Sequence, residues 1–113
     1  TWNVVQRGMR KVISDGSARK IFSDLEIDIA GKTGTAEEVK NGHKVNHAFF
    51  VSFAPYERPE VCVTVVIPNG YKSANAAYTA REVMGLYFNN ENKAELLSGN
   101  VKAGSVTSIT VSD

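Results

Sequence analysis

The sequence predicts an α+β domain, a three-stranded antiparallel sheet flanked by helices. Three observations carry the prediction. Apolar residues at three- and four-residue spacing mark a helix near the start and another before residue 90. Between them lie three runs rich in β-branched and aromatic residues. The connections between those runs are tight turns, too short for crossover helices, so successive strands must run antiparallel.

Trp2, Val5, Met9, Val12 and Ile13 form the apolar stripe of the first helix, and Asp15-Gly16 stops it. Ser17 to Ser23 is a polar connector anchored by Ile21 and Phe22. Glu26 to Thr35 reads as the first strand, because Leu25 to Ile29 alternates and the extended pattern runs on through Lys32. Asn41-Gly42 is a two-residue hairpin turn, since both positions of a type I′ turn need positive φ. The polar residues Glu37 to Lys44 should form its solvent-exposed tip.

His47 to Ala54 is the second strand, apolar on both faces: Phe49, Val51 and Phe53 on one, Ala48, Phe50 and Ala54 on the other. Such a strand belongs inside a sheet covered on both sides. Pro55 to Pro59 is a turn, Val61 to Ile67 the third strand, and Pro68-Asn69-Gly70 ends it. Ser73 or Asn75 can cap the last helix, whose apolar face is Ala76, Ala80, Val83, Met84, Tyr87 and Phe88, with Asn89-Asn90 as its stop. Residues 1–90 therefore form one structural unit. Residues 91–113 are a polar tail or linker with a weak alternation at Val106 to Val111. Two helices supply roughly one covering layer, so the sheet is short of material to bury both its faces. With the Thr1-Trp2-Asn3 opening, already helical and without methionine, this reads as a piece of something longer.

The chain has 113 residues, 42% hydrophobic and 22% charged, with a formal net charge of +1. That is one domain at most. Nothing in the charge invites nucleic acid or a membrane surface. No apolar stretch approaches the roughly 18 residues of a membrane span. Cys62 is the only cysteine and sits in an apolar run, so it is expected to be a small buried hydrophobe and there is no internal disulfide.

The chemistry concentrates in Ala30-Gly31-Lys32-Thr33-Gly34-Thr35-Ala36-Glu37. A cation, two hydroxyls and a glycine along a strand make a receptor for a peptide carboxylate. Gly31-Lys32-Thr33 also matches the end of a phosphate-binding loop. That loop needs a glycine where this chain has Glu26, and a helix opening at the lysine. Ser17-Ala18-Arg19-Lys20 formally matches Ser-x-x-Lys, in which a desolvated lysine activates a serine on the same helix face. Here the tetrad follows a helix stop in a polar connector, so it reads as coincidence. Ser98-Gly99-Asn100 in the tail reads the same way. His43 and His47 have no Cys or carboxylate placed to complete a metal site, and Glu37-Glu38 read as surface charges. No metal or organic cofactor is expected.

From Trp2 to Phe88 the chain resembles the C-terminal part of the transpeptidase domain of class B penicillin-binding proteins. The resemblance rests on the Gly8-Met9 helix with Val12-Ile13 and on Ile29-Ala30-Gly31-Lys32-Thr33-Gly34-Thr35-Ala36-Glu37. It continues through His47-Ala48-Phe49-Phe50-Val51-Ser52-Phe53-Ala54-Pro55, the valine-rich strand to Ile67-Pro68, and the helix from Ala76 to Phe88. It implies a fragment of a five-stranded sheet between helices, from a D,D-transpeptidase that cross-links peptidoglycan stem peptides ending in D-Ala-D-Ala and is acylated by β-lactams. Lys32 and Thr35 would be the catalytic residues: Lys32 by its charge and through proton transfer, Thr35 by its backbone N–H in the oxyanion hole. Thr33, Gly34 and Thr35 would bind substrate, the hydroxyls on its carboxylate and the glycine leaving room beside the strand.

The nucleophilic Ser-x-x-Lys and a Ser-x-Asn triplet would lie upstream, and Lys20, twelve residues before Lys32, is too close to belong to them. The resemblance implies an extracytoplasmic protein anchored by a helix outside this chain, with the upstream part of its domain as partner and no membrane contact by this segment. The alternatives are a serine β-lactamase or penicillin-sensing receptor, and a non-catalytic interaction module with the same fold. The Gly-Thr-Ala-Glu continuation and Phe49-Phe50-Val51 favour the transpeptidase, and the polar trio Lys32, Thr33 and Thr35 argues against a bare scaffold.

Overall fold

The computed structural model describes residues 1–89. The tail, its weak alternation and the Ser98-Gly99-Asn100 triplet lie outside the described residues. The chain runs through helix α1 (Trp2–Ser14), one-turn helix α2 (Arg19–Phe22), strands β1 (Ala30–Lys40), β2 (His43–Ala54) and β3 (Val61–Ile67), and helix α3 (Ser73–Asn89). The strands form one antiparallel sheet in the order β1-β2-β3, so β1 and β3 are its edges. No helix among the described residues is long and apolar enough to cross a membrane.

The turn between β1 and β2 is the one expected, with Asn41 at φ 52 and Gly42 at φ 77. The strands beside it are longer than expected. Pairing continues to Lys40↔His43, so β1 passes beyond Thr35 and β2 starts before His47. A two-residue turn leaves no slack, and the ladder closes through polar residues that stay exposed on it. Glu37 and Lys44 meet there at 2.9 Å.

The other end of β1 is shorter than expected, beginning at Ala30 and not at Glu26. The alternation over Leu25 to Ile29 reports burial without pairing. Leu25 and Ile27 pack against the core and Ile29 is fully buried. The backbone of this segment finds other partners. The Asp28 carbonyl accepts the Tyr56 N–H at 2.7 Å, and the Ile29 carbonyl accepts Arg10 Nη1 at 3.2 Å. Arg10 also pairs with the Asp28 carboxylate, which pins α1 to the entry of β1.

One face of the sheet is closed. Ala48, Phe50, Ser52 and Ala54 of β2 are buried beneath Ala76, Ala77, Ala80 and Met84 of α3. Ile21 and Phe22 of α2 and Ile13 of α1 complete that core. The rings of Phe22 and Phe50 stack at 5.5 Å, and truncating a ring so buried costs about 3–5 kcal/mol. Ser52 is tolerated inside because its hydroxyl donates to the Val63 carbonyl at 3.2 Å. Val83, expected on this face, is exposed, and Ala77 takes its place. The 3.6-residue period keeps positions 76, 80 and 84 against the sheet and turns 83 to the side.

The other face is open. Phe49, Val51 and Val66 are 36%, 37% and 54% exposed. Helix α1 reaches this face only at one end, leaving an apolar groove of about 340 Å³ lined by Trp2, Val5, Gln6, Met9, Val51, Phe53 and Pro59. Cys62 lies on this side of β3 and is exposed, contrary to expectation, because no layer of the described residues covers it.

Candidate active site

Lys32, Thr33, Gly34 and Thr35 occupy the middle of the edge strand β1. The register sets Lys32 opposite Val51 and Gly34 opposite Phe49, which places both on the open face. Thr33 and Thr35 stand opposite Phe50 and Ala48, on the side of the closed core. The four residues therefore share no single face, and they meet only along the unpaired edge. Lys32 and Thr35 are exposed, while Thr33 and Gly34 are half-buried.

Lys32 Nζ donates to the Thr33 carbonyl at 2.7 Å. No carboxylate pairs with it among the described residues. Several other cations do have carboxylate partners: Lys44 has Glu37, Arg10 has Asp28, and Arg81 has Asp24 and Glu82. The hydrogen bond from Arg81 holds the Asp24 carboxyl below its usual range, and Asp24 together with Glu82 raises Arg81. A cation without a carboxylate partner, on a strand edge, is available to an anionic ligand.

The two glycines of the motif differ. A Cβ on Gly31 would lie 2.7 Å from Phe50 Cζ and 3.0 Å from the Val51 carbonyl oxygen, so the ring in the core demands a glycine there. A Cβ on Gly34 would meet only Phe49 Cβ at 3.5 Å, an ordinary contact. Nothing among the described residues requires Gly34 to lack a side chain.

His47 lies on the same face as Lys32, and its ring makes two contacts. Nε2 is 3.0 Å from Glu38 Oε2, and Nδ1 accepts the Asn69 backbone N–H at 3.2 Å. The His47 contact holds the Glu38 carboxyl below its ordinary value. The sequence pattern singles out neither residue: His47 is a strand-start histidine and Glu38 a surface charge. The Asn41-Gly42 turn fixes the register and so places Glu38 diagonal to His47; Asn69 is 22 positions away and only the fold supplies it.

Ser17 and Lys20 are both exposed, with Ser17 outside α2, so this serine has no desolvated lysine beside it. Lys32 sits inside a strand with no helix opening at it, which removes the phosphate-loop reading. No group of three or more His, Cys, Asp or Glu side chains able to hold a metal occurs among the described residues. A cavity of about 440 Å³ lies between α1, α2 and residues 23–28. Neither it nor the apolar groove is lined by Lys32, Thr33, Gly34 or Thr35. The candidate site is an open strand edge.

The chain and its fold are similar to known proteins. The model of the penicillin-binding protein transpeptidase domain matches residues 1–85. The peptidoglycan D,D-transpeptidase MrdA of Haemophilus influenzae is 40% identical over 103 residues, covering 78% of this chain and 16% of that protein. MrdA of Escherichia coli K12 is 28% identical, covering 88% of this chain and 18% of that protein. Among solved structures, Pseudomonas aeruginosa PBP2 in complex with WCK 5153 superposes with a TM-score of 0.69 at 35% identity, over 81% of this chain and 20% of that one. Penicillin-binding protein 2B of Streptococcus pneumoniae R6 gives 0.67 at 27% identity, over 80% of this chain and 16% of that one. This chain belongs to the penicillin-binding protein transpeptidase family and carries a fragment of that domain's fold. It spans less than a fifth of the length of these curated relatives.

Proposed function

We propose that this chain supplies the Lys-Thr-Gly strand of a peptidoglycan D,D-transpeptidase, which cross-links stem peptides through a serine acyl-enzyme and is acylated by β-lactams. The observation that supports the reading is Lys32 on the edge strand, with no carboxylate partner among the described residues, beside two hydroxyls and a glycine at which a Cβ would meet only an ordinary contact. The substrate peptide adds along β1 by main-chain hydrogen bonds. Its terminal carboxylate is held by the Lys32 charge and the Thr33 and Thr35 hydroxyls, and Gly34 lets it lie close to the strand.

A serine upstream of this chain attacks the penultimate D-alanine carbonyl. An ester bond forms, the amide C–N bond breaks, and the terminal D-alanine leaves with the proton. The Thr35 backbone N–H stabilises the oxyanion. Thr33 and Thr35, two residues apart, direct their backbone groups to the same side of the strand, and Lys32 Nζ reaches the Thr33 carbonyl on that side. The other oxyanion donor and the base belong to the upstream part of the domain. By itself the chain has no acyl-transfer activity, because that chemistry needs the nucleophile and its base. The whole protein works on the extracytoplasmic side of the cell membrane, where its substrate is.

The test is incubation with fluorescent penicillin, followed by intact mass. The full-length protein is expected to gain one covalent penicillin, and the 113-residue chain none. An unlabelled full-length protein, or stable labelling of the isolated chain at Ser17, overturns the reading.

A further inference from the structure

We propose that His47 is a positioning residue: its neutral imidazole ties the end of the Lys32 strand to the loop leaving β3, and so fixes the orientation of Thr35 toward substrate. The inference rests on the transpeptidase reading above.

The geometry begins with register. His47 stands opposite Ala36, and the next pair along the ladder is Thr35↔Ala48. Beyond Ala36, both strands of the hairpin are largely exposed to solvent. A two-stranded ribbon of this kind is only marginally stable alone and twists freely. Whatever holds it at Ala36 to Glu38 also holds Thr35.

The His47 ring spans that point. It reaches Glu38 of β1 at 3.0 Å on one side and the Asn69 N–H, in the loop between β3 and α3, at 3.2 Å on the other. One planar side chain on the middle strand thus links β1 to the loop that follows β3. Because Nδ1 accepts a backbone N–H, the ring proton sits on Nε2 and is donated to the carboxylate. A protonated ring would set an N–H against the Asn69 N–H, so the tie needs the neutral form.

The loop at the far end of the tie is itself held in an unusual shape. Asn69 and Tyr71 have φ of 55 and 63, left-handed values that cost energy for residues with a Cβ. Three further bonds keep it there: Gly70 N–H to the Ile67 carbonyl at 3.1 Å, Tyr71 N–H to the Asn46 carbonyl at 3.3 Å, and Asn75 Nδ2 to the Gly70 carbonyl at 2.8 Å. A Cβ on Gly70 would come within 2.8 Å of both Ala48 Cβ and the Ile67 carbonyl oxygen, so the loop is also pressed close to the sheet. His47 is therefore anchored to a rigid object. The other partner in the tie is the solvent-exposed ribbon, and through it the strand edge that carries Thr35.

The experiment measures the acylation of the full-length protein by fluorescent penicillin over a range of concentrations, separating non-covalent binding from the acylation rate constant. His47→Leu removes both contacts and is expected to slow acylation about tenfold with binding nearly unchanged, since small misplacements of a reacting group weigh on the chemical step. His47→Gln keeps one acceptor and one donor at similar spacing, and is expected to restore the rate to within about threefold. Glu38→Ala cuts the tie from its exposed end, with no loss to the core, and is expected to slow acylation about threefold.

Wild-type rates in His47→Leu or in Glu38→Ala overturn the proposal. So does equal slowing in His47→Leu and His47→Gln, which would mark a bulk structural role. A wild-type protein that penicillin does not label refutes the transpeptidase reading itself, together with this inference. A labelled wild type with an indifferent His47→Leu refutes this inference alone.

Discussion

The two faces of the sheet are built from the same strands and do different work. The face carrying Phe50 is closed by α2 and α3 and packed with small and aromatic residues, its one buried hydroxyl satisfied. The face carrying Phe49, Val51 and Val66 is open, and Lys32 and Gly34 stand on it. Stability resides in the first and the chemical potential of the chain at the border of the second. The motif straddles that border, because alternation sends Gly31, Thr33 and Thr35 toward the core side and Lys32 and Gly34 away from it. Of the core-side three only Gly31 is buried; Thr35 is exposed and Thr33 half-buried, so the motif comes together along the unpaired edge and not on one face.

Three substitutions sharpen or break this contrast. The largest effect is expected from Lys32→Ala in the full-length protein, which should lower β-lactam acylation by about 10²–10³ without unfolding it, as for other lost electrostatic donors. Unchanged acylation kinetics would remove Lys32 from the site. Next is the glycine pair. Gly31→Ala drives a methyl into Phe50 and the Val51 carbonyl, and should cost about 1–3 kcal/mol in denaturant titration. Gly34→Ala should leave stability within about 0.5 kcal/mol, since its Cβ makes an ordinary contact. It should nonetheless weaken acylation, and equal behaviour of the two variants in both assays would erase the distinction between the faces.

The smallest effect concerns acid. Asp24 and Glu38 are held below their ordinary values of 3.8 and 4.5 by hydrogen bonds from Arg81 and His47. A depressed carboxylate contributes stability above its unfolded value and loses it as the pH falls through the folded one. Melting temperature should therefore decline modestly on the acid side of that range, and Asp24→Asn should flatten the decline. Both groups are exposed, so the change is small.

Much of this was legible in the chain. Asn41-Gly42 gave the turn, and the valine run gave β3 with its bounds intact. Helix periodicity placed α1 and α3. Some residues misled for identifiable reasons. Leu25 to Ile29 alternates because it packs, and its backbone bonds go to Arg10 and Tyr56 in place of a strand. Cys62 sits in an apolar run yet is exposed, because no layer of the described residues lies over its side of the sheet.

Local chemistry, then, fixed the presence and order of three strands, their turn and the alternation of the motif residues, though not the ends of β1 or the start of β2, since a period of two and a positive-φ turn leave no choice of parity. Which face would be roofed, that a side chain at Gly31 would collide with Phe50 while one at Gly34 would not, and that His47 meets Asn69 were settled only by the fold. Those facts depend on atoms brought together from distant parts of the chain. No local pattern encodes such distances, because packing against α2 and α3 sets them.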